Sequence, residues 1–391
     1  HAVVTNPPYM GQSGMSTRLN DYVKCNYPNG KMDLFSCFIE SCGHMLITNG
    51  YQSMITMHSW MFLTTFEDLR NILLLRDISS LLHLGAHAFE EIGGEVVQTV
   101  AFVIRNSSID AYIAHYRRLL TPSSQIGKEE MFLTGNNSFF TTNRRFKKIP
   151  GHPFAYWIPD LTVSLFEKMP KLGELCISKT GMTTGDNNRF LRLWQEVSSL
   201  QIGNKWFFYN KGGGYRKWYG SLDYVIIWEN DGEMVKNAKC STIRNPNFYF
   251  RRCISWNLIT TDKISVRALA PIFVMGDAGP ACYIEREDDY WSFLALLNSV
   301  VSDYLLKIIN PTINYSCGVM EVFPVCLDQI RARINIALLA KQNVTISNAD
   351  WDAFETSLDF QRHPLVTPAI DQHYMLLSDC WRDWERACAD R

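Results

Sequence analysis

The chain opens on "HAVVTNPPYM", and no other stretch limits its fold so tightly. "HAVVT" is short, apolar and rich in β-branched residues, which is strand chemistry. Two prolines then end the strand abruptly. Each fixes φ at roughly −65° and has no N–H, and the first also restricts the residue before it. Asn6 is therefore held at the end of a strand, with Tyr9 presented just beyond it. Strand ends that feed loops are where open α/β sheets place their chemistry.

The next hundred residues alternate in kind. "KMDLFSCFIESCGHML" carries apolar residues at 34, 35, 38, 39, 42, 45 and 46, a helical stripe with Asp33 near its start. "NGYQSMITM" reads as a turn and a strand, and "TFEDLRNILLLR" as a helix capped by Thr64 or Thr65. "ISSLLHLG" is a third strand, and "GGEVVQTVAFVIRN" a glycine turn into a long strand able to pair with a neighbour. This order predicts an α/β sheet, the second half of a doubly wound one. Past residue 119 the texture turns to polar loops and aromatics, and "TTNRRFKKIPGHPF" reads as a basic, proline-punctuated linker. From about 170, short strands, glycine turns and many aromatics predict a strand-rich α+β domain. The last 60 or so residues read as helical. The expected divisions are 1–120, a connecting segment 121–168, a domain over 169–330 and a helical region over 331–391.

Composition sets outer limits. The chain has 391 residues, 47% hydrophobic and 20% charged, with a net charge of −1. A surface for nucleic acid must therefore be local, and one region qualifies. Residues 171–260 hold 13 Lys and Arg against 7 Asp and Glu, a net +6, whereas 328–391 hold 7 against 10, a net −3. The 11 cysteines form no CxxC pair, which reads as reduced thiols in a cytoplasmic protein. No apolar run reaches membrane-spanning length and no signal peptide is visible, so no membrane partner is expected. His44, His58, His83 and His87 lack ligand partners at metal spacing and read as ordinary core or surface histidines, with no metal expected. The chain starts inside a strand at His1 and ends on "RDWERACADR" without a helix stop, which reads as an internal piece of a longer protein.

A rigid amide followed by an aromatic ring suits one chemical task. The exocyclic amino group of a planar base is a poor nucleophile, because its lone pair is delocalised into the ring. To methylate it, an enzyme must accept hydrogen bonds from that NH₂, hold the ring face-on and aim the nitrogen. An Asn side-chain carbonyl and the next backbone carbonyl are two such acceptors, and an adjacent aromatic ring stacks on a flipped base. Most of the catalysis is then positioning.

"NPPY" after a strand resembles the catalytic motif of the N6-adenine DNA methyltransferases. "KMDLFSCFIESCGHML" and "NGYQSMITMHSWMF" look like that family's next helix and strand. "SKTGMTTGDNNRFLRLWQEV" resembles the entry of a restriction-type target-recognition domain, and "LALLNSVVSDYLLKIINPTINYSCGVMEVFPV" its exit helix and return. "WDAFETSLDF" is similar to the large adenine methyltransferases of bacteriophage-exclusion (BREX) systems.

The resemblance implies Asn6 and the Pro7 carbonyl as acceptors for the adenine N6 amine, Pro8 as the turn former and Tyr9 as the stacking ring. It implies S-adenosylmethionine as methyl donor, with Asn6 at the edge of its pocket and the rest upstream. It implies double-stranded DNA as substrate, further phage-defence proteins as partners, and a site-specific adenine methyltransferase of restriction-modification type. On that reading the 391-residue chain alone does not methylate DNA and binds the donor weakly or not at all.

The basic, aromatic middle supplies candidate DNA contacts at Lys179, Thr183, Thr184, Asn187, Asn188, Arg189, Lys211, Tyr215, Arg216 and Lys217. "FVMGDAGPA" (273–281) reads as a turn between strands rather than a displaced cofactor loop. Two alternatives stand beside the main reading. One is an NPPY methyltransferase acting on protein glutamine or rRNA. The other is a DNA-specificity module without turnover.

Overall fold

The computed structural model describes residues 1–89, 97–261, 263–331, 333, 335–366 and 376–389. The glycine turn expected at 93–94 lies outside them. The chain divides into two compact units, His1–Met169 with Ile308–Thr312, and Pro170–Lys307 with Ile313–Arg391.

The first unit is built on six strands: β1 (Ala2–Thr5), β2 (Tyr51–Met57), β3 (Asp77–Gly85), β4 (Thr99–Arg105), β5 (Ile113–Arg118) and β6 (Ser138–Thr142). Their order across the sheet is β1-β2-β4-β3-β5-β6. β1 runs parallel to β2 and β3 parallel to β5, while β4 is antiparallel to both β2 and β3. The strands β1, β2, β3 and β5 thus point one way, and their carboxyl ends share one edge of the sheet. Helices α1 (Thr17–Asn26) and α2 (Leu34–His44) lie between β1 and β2, and α3 (Glu67–Leu73) between β2 and β3. The expected strand–helix alternation is therefore present, with β4 inserted between β2 and β3. Among the described residues β1 pairs with β2 alone, and Val4 on it is 76% exposed.

Local chemistry explains the boundaries. Asp33 caps α2 by accepting from the Phe35 N–H. The predicted Thr64 or Thr65 cap is corrected: Thr64–Phe66 form a 3₁₀ turn, α3 begins at Glu67, and no side chain caps it. The sequence around Phe66 favours burying that ring, 5% exposed, over freeing a threonine hydroxyl for the helix end. Residues 121–168 hold α4 (Gln125–Leu133), the edge strand β6 and α5 (Asp160–Lys168). Phe146 and Phe154 from this stretch are fully buried and stack 4.8 Å apart in the core of the first unit.

The second unit carries two four-stranded sheets. One has the order β13-β9-β10-β8 and the other β12-β11-β14-β7. The strands are β7 (Ile177–Lys179), β8 (Leu191–Leu193), β9 (Trp206–Asn210), β10 (Tyr224–Ile227), β11 (Cys253–Trp256), β12 (Val266–Leu269), β13 (Phe273–Met275) and β14 (Ala281–Tyr283). "FVMGDAGPA" is the connection from β13 in one sheet to β14 in the other. Helices follow: α6 (Glu287–Asn298), α7 (Val300–Ile309), α8 (Asn335–Trp351) and α9 (Leu377–Ala389). Among the described residues no single helix is long and apolar enough to cross a membrane.

Candidate functional site

The Asn-Pro-Pro-Tyr turn stands directly after β1, at the edge where β1, β2, β3 and β5 end. Asn6 is exposed and Pro7 is buried. The turn is pinned from three sides. The Met10 N–H donates to Asp33 Oδ1 at 2.9 Å, and the Leu34 N–H donates to the Met10 carbonyl at 3.0 Å. The Tyr9 hydroxyl donates to the Ile55 carbonyl on β2 at 3.4 Å. Its ring meets Phe35 edge-on, with centroids 6.1 Å apart. The cap of α2 therefore also holds the loop after β1. Burial raises the pKa of the Tyr9 phenol, so it stays neutral and keeps its donor. Burial likewise raises the pKa of the Asp33 carboxyl, against the three backbone N–H bonds that lower it.

The same edge carries a feature that spacing in the sequence did not reveal. His58 follows β2 and His83 lies near the end of β3; His58 Nδ1 and His83 Nε2 are 2.8 Å apart. His83 Nδ1 is 3.2 Å from the Tyr156 hydroxyl. Phe62 and Trp157 pack around His83, at 5.8 Å and 6.4 Å between ring centroids. Burial holds the pKa of His58 down to about 4 and that of His83 to about 3, with the charges of His58, Arg118 and Lys128 adding to the latter. Both rings are therefore neutral at pH 7. Among the described residues no group of three or more His, Cys, Asp or Glu is placed to hold a metal ion.

In the second unit the candidate DNA residues fall in two loops on either side of the β13–β14 turn. Thr183 Oγ1 donates to Asp277 Oδ2 at 3.0 Å, and the Asp277 N–H donates to the Met182 carbonyl at 3.0 Å. Gly212, at φ +78°, backs onto the Ala278 carbonyl. Thr184 is buried and bonds Asn187. Asn187, Asn188 and Arg189 are exposed on a short helical turn, capped by Asp186 accepting from the Arg189 N–H at 3.1 Å. Lys179 lies 6.0 Å from the Phe248 ring centroid, and Lys211 3.9 Å from that of Tyr224.

Two of the expected phosphate cations are turned onto the fold itself. Arg216 pairs with Asp350 at 2.9 Å and stacks on Trp351 at 4.9 Å, while Lys217 donates to the Asn298 carbonyl at 2.7 Å. Tyr215 between them and the glycines is 55% exposed. A side chain at Gly276 would meet Tyr209, and one at Gly279 would meet Asn210.

A sheet of this order, with a rigid amide–aromatic turn on its carboxyl edge, is a methyltransferase-type α/β architecture. The family model of the Eco57I restriction-modification methylase matches residues 1–89, the stretch that carries the turn and the first three strands. Along nearly its whole length the chain is similar to two curated proteins. It is 35% identical to the adenine-specific methyltransferase PglX of Lacticaseibacillus casei (strain Zhang), covering 99% of this chain and 34% of that protein. It is 37% identical to the adenine-specific methyltransferase BrxX of Escherichia coli O9:H4 (strain HS), covering 97% of this chain and 32% of that protein. The chain thus spans about a third of the length of these relatives. Its fold is shared with the Type IIL restriction-modification enzyme MmeI, solved in complex with DNA, at a TM-score of 0.56 and 12% identity. That match covers 92% of this chain and 50% of the other.

Proposed function

We propose that this chain is the catalytic edge and the target-recognition portion of a site-specific, adenine-specific DNA methyltransferase of a phage-exclusion or restriction-modification system. The observation that carries the reading is the exposed Asn6 amide, fixed after β1 by Pro7, Pro8 and the contacts of Tyr9 and Met10. Asn6 Oδ1 and the Pro7 carbonyl accept the two N–H bonds of the adenine amine and turn its lone pair out of conjugation. Tyr9 holds the flipped ring face-on. Neither acceptor is basic, so the chain works by orientation and electrostatics.

S-adenosylmethionine supplies the methyl group in this chemistry. Of this chain's residues, Asn6 would lie at the edge of the donor's pocket, with the rest of the pocket supplied from upstream. Double-stranded DNA is the substrate, met in the second unit by Lys179, Thr183, Thr184, Asn187, Asn188, Arg189, Lys211 and Tyr215. Arg216 and Lys217 act there by bracing their loop. Further defence-system proteins are the natural partners of such an enzyme.

The test is Asn6→Ala in the complete protein, assayed with radiolabelled donor and duplex DNA. Methyl transfer is expected to fall by about 10² to 10³ or more, with DNA affinity retained. A near-normal rate refutes the role of Asn6. Methylation of glutamine or rRNA in place of DNA favours the other NPPY enzymes, and DNA binding without turnover favours a specificity module.

A further inference from the structure

We propose that the loop Gly213–Gly214–Tyr215 is a phosphodiester-binding site, in which the backbone N–H groups of these residues donate to a phosphate of duplex DNA. The inference rests on the reading of the second unit as DNA-contacting and identifies where the backbone is gripped. The Asn257 side chain donates to the Gly213 carbonyl at 2.7 Å and to the Gly214 carbonyl at 3.2 Å. Asn257 is itself held, since its Oδ1 accepts from Arg267 Nη2 at 2.6 Å. Arg267 is 1% exposed, and its Nη1 has no hydrogen-bond partner. A buried guanidinium with an idle donor is costly to fold around. Here the guanidinium, with the Asp223 carboxylate close enough to interact with it, is linked through Asn257 to a loop whose two carbonyls are drawn onto the Asn257 amide. Among the described residues no hydrogen-bond partner is found for the N–H groups of Gly213, Gly214 and Tyr215. Successive backbone N–H groups that converge in a turn can form an anion-binding concavity.

The loop is also fixed at both ends. The Lys211 N–H donates to the Tyr209 carbonyl at 3.0 Å, and Gly212 is closed against Ala278. On the far side the Trp218 N–H donates to the Val266 carbonyl at 2.8 Å, and Trp218 in turn accepts from the Ala268 N–H at 2.9 Å. Arg216 on Asp350 and Lys217 on Asn298 complete the brace. Arg216 and Lys217 therefore bind protein, Lys211 lies over the Tyr224 ring, and the tip of the loop presents neutral amides. Exposed Tyr215 and the two glycines leave the approach open, with no atom within 4 Å of a methyl group placed on Gly214.

The complete protein is to be titrated with a mixed-sequence DNA duplex at several salt concentrations. Gly214→Pro removes one N–H, while Gly214→Ala keeps it. Gly214→Pro is expected to weaken binding about tenfold or more at every salt, with Gly214→Ala close to the unmodified protein. The log–log salt slope is expected to stay unchanged, because a neutral donor displaces no counterion. Equal affinities for the two variants overturn the proposal, as does a slope lowered by about 0.9, which marks a lost cation instead. Hydrogen exchange in the unmodified protein gives a reading independent of how proline folds. Protection of residues 213–215 by the duplex supports the site, and unchanged exchange with DNA bound overturns it. An unmodified protein that binds no duplex overturns the DNA reading of the second unit along with this one.

Discussion

Lowering the pH from 7 to 5 should loosen the first unit at the ends of β2 and β3, and the histidine pair sets the size of the effect. His83 is 2% exposed and its ring reaches the His58 ring at 2.8 Å. Burial depresses its pKa to about 3, against an ordinary value of 6.5. A histidine whose folded pKa is depressed stays neutral in the fold and takes up its proton on unfolding. Its stabilising contribution is therefore full above pH 6.5 and declines as pH falls from 6.5 toward 3. At pH 5 the loss from His83 is ~2 kcal/mol. His58, held to about 4, adds a smaller loss because it is only part-buried and water screens it.

The assay is hydrogen exchange of the β3 peptide at the two pH values, corrected for intrinsic exchange chemistry. It reads local opening and avoids treating a two-unit protein as one transition. Protection should drop by a factor of about 30 from His83, the equivalent of ~2 kcal/mol, and by more with the His58 contribution added. In His58→Phe/His83→Leu, which removes both titrating groups together, the drop should largely vanish. Equal drops in the variant and the unmodified protein refute the assignment to this pair.

Two further outcomes follow from buried and exposed cations. Arg70 is 1% exposed and donates to the carbonyls of Gly151, Trp60 and Leu63 at 2.8, 2.9 and 2.6 Å. Arg70→Met strands one buried and two half-buried carbonyl acceptors and should cost about 3 kcal/mol, read as a lowered denaturation midpoint of the first unit. Arg189 is exposed beside Asn187 and Asn188. If it meets a phosphate, Arg189→Ala should lower the salt slope of DNA binding by about 0.9, and an unchanged slope places it away from the backbone.

What the sequence disclosed was local, and what it hid was distant. "HAVVT", "YQSMITM" and "ISSLLHLG" announce their strands because each is a short, largely apolar run bounded by turn signals, too short for a helical stripe. "NPPY" announces its geometry because proline fixes φ without help from the rest of the fold. Thr64 and Thr65 misled because a cap depends on where a neighbouring ring is buried, and Phe66 decided that. His58 and His83 looked unpartnered because their partners are each other and Tyr156, 73 residues from His83. Net charge misled more instructively. Lys211, Arg216 and Lys217 contribute equally to the local +6 of 171–260. Arg216 and Lys217 nevertheless find their partners 134 and 81 residues away, at Asp350 and Asn298.

A charge count locates a surface that can meet a polyanion, but not the groups that touch it. Cations close to the backbone they brace cannot also reach outward, so the contact passes to whatever that bracing leaves free. At the tip of the loop, residues 213–215, that remainder is neutral, the backbone N–H groups and the Tyr215 ring, with Lys211 at its base over the Tyr224 ring. Such a site would contribute affinity with little salt dependence, leaving the electrostatic share to Lys179, Arg189 and their neighbours.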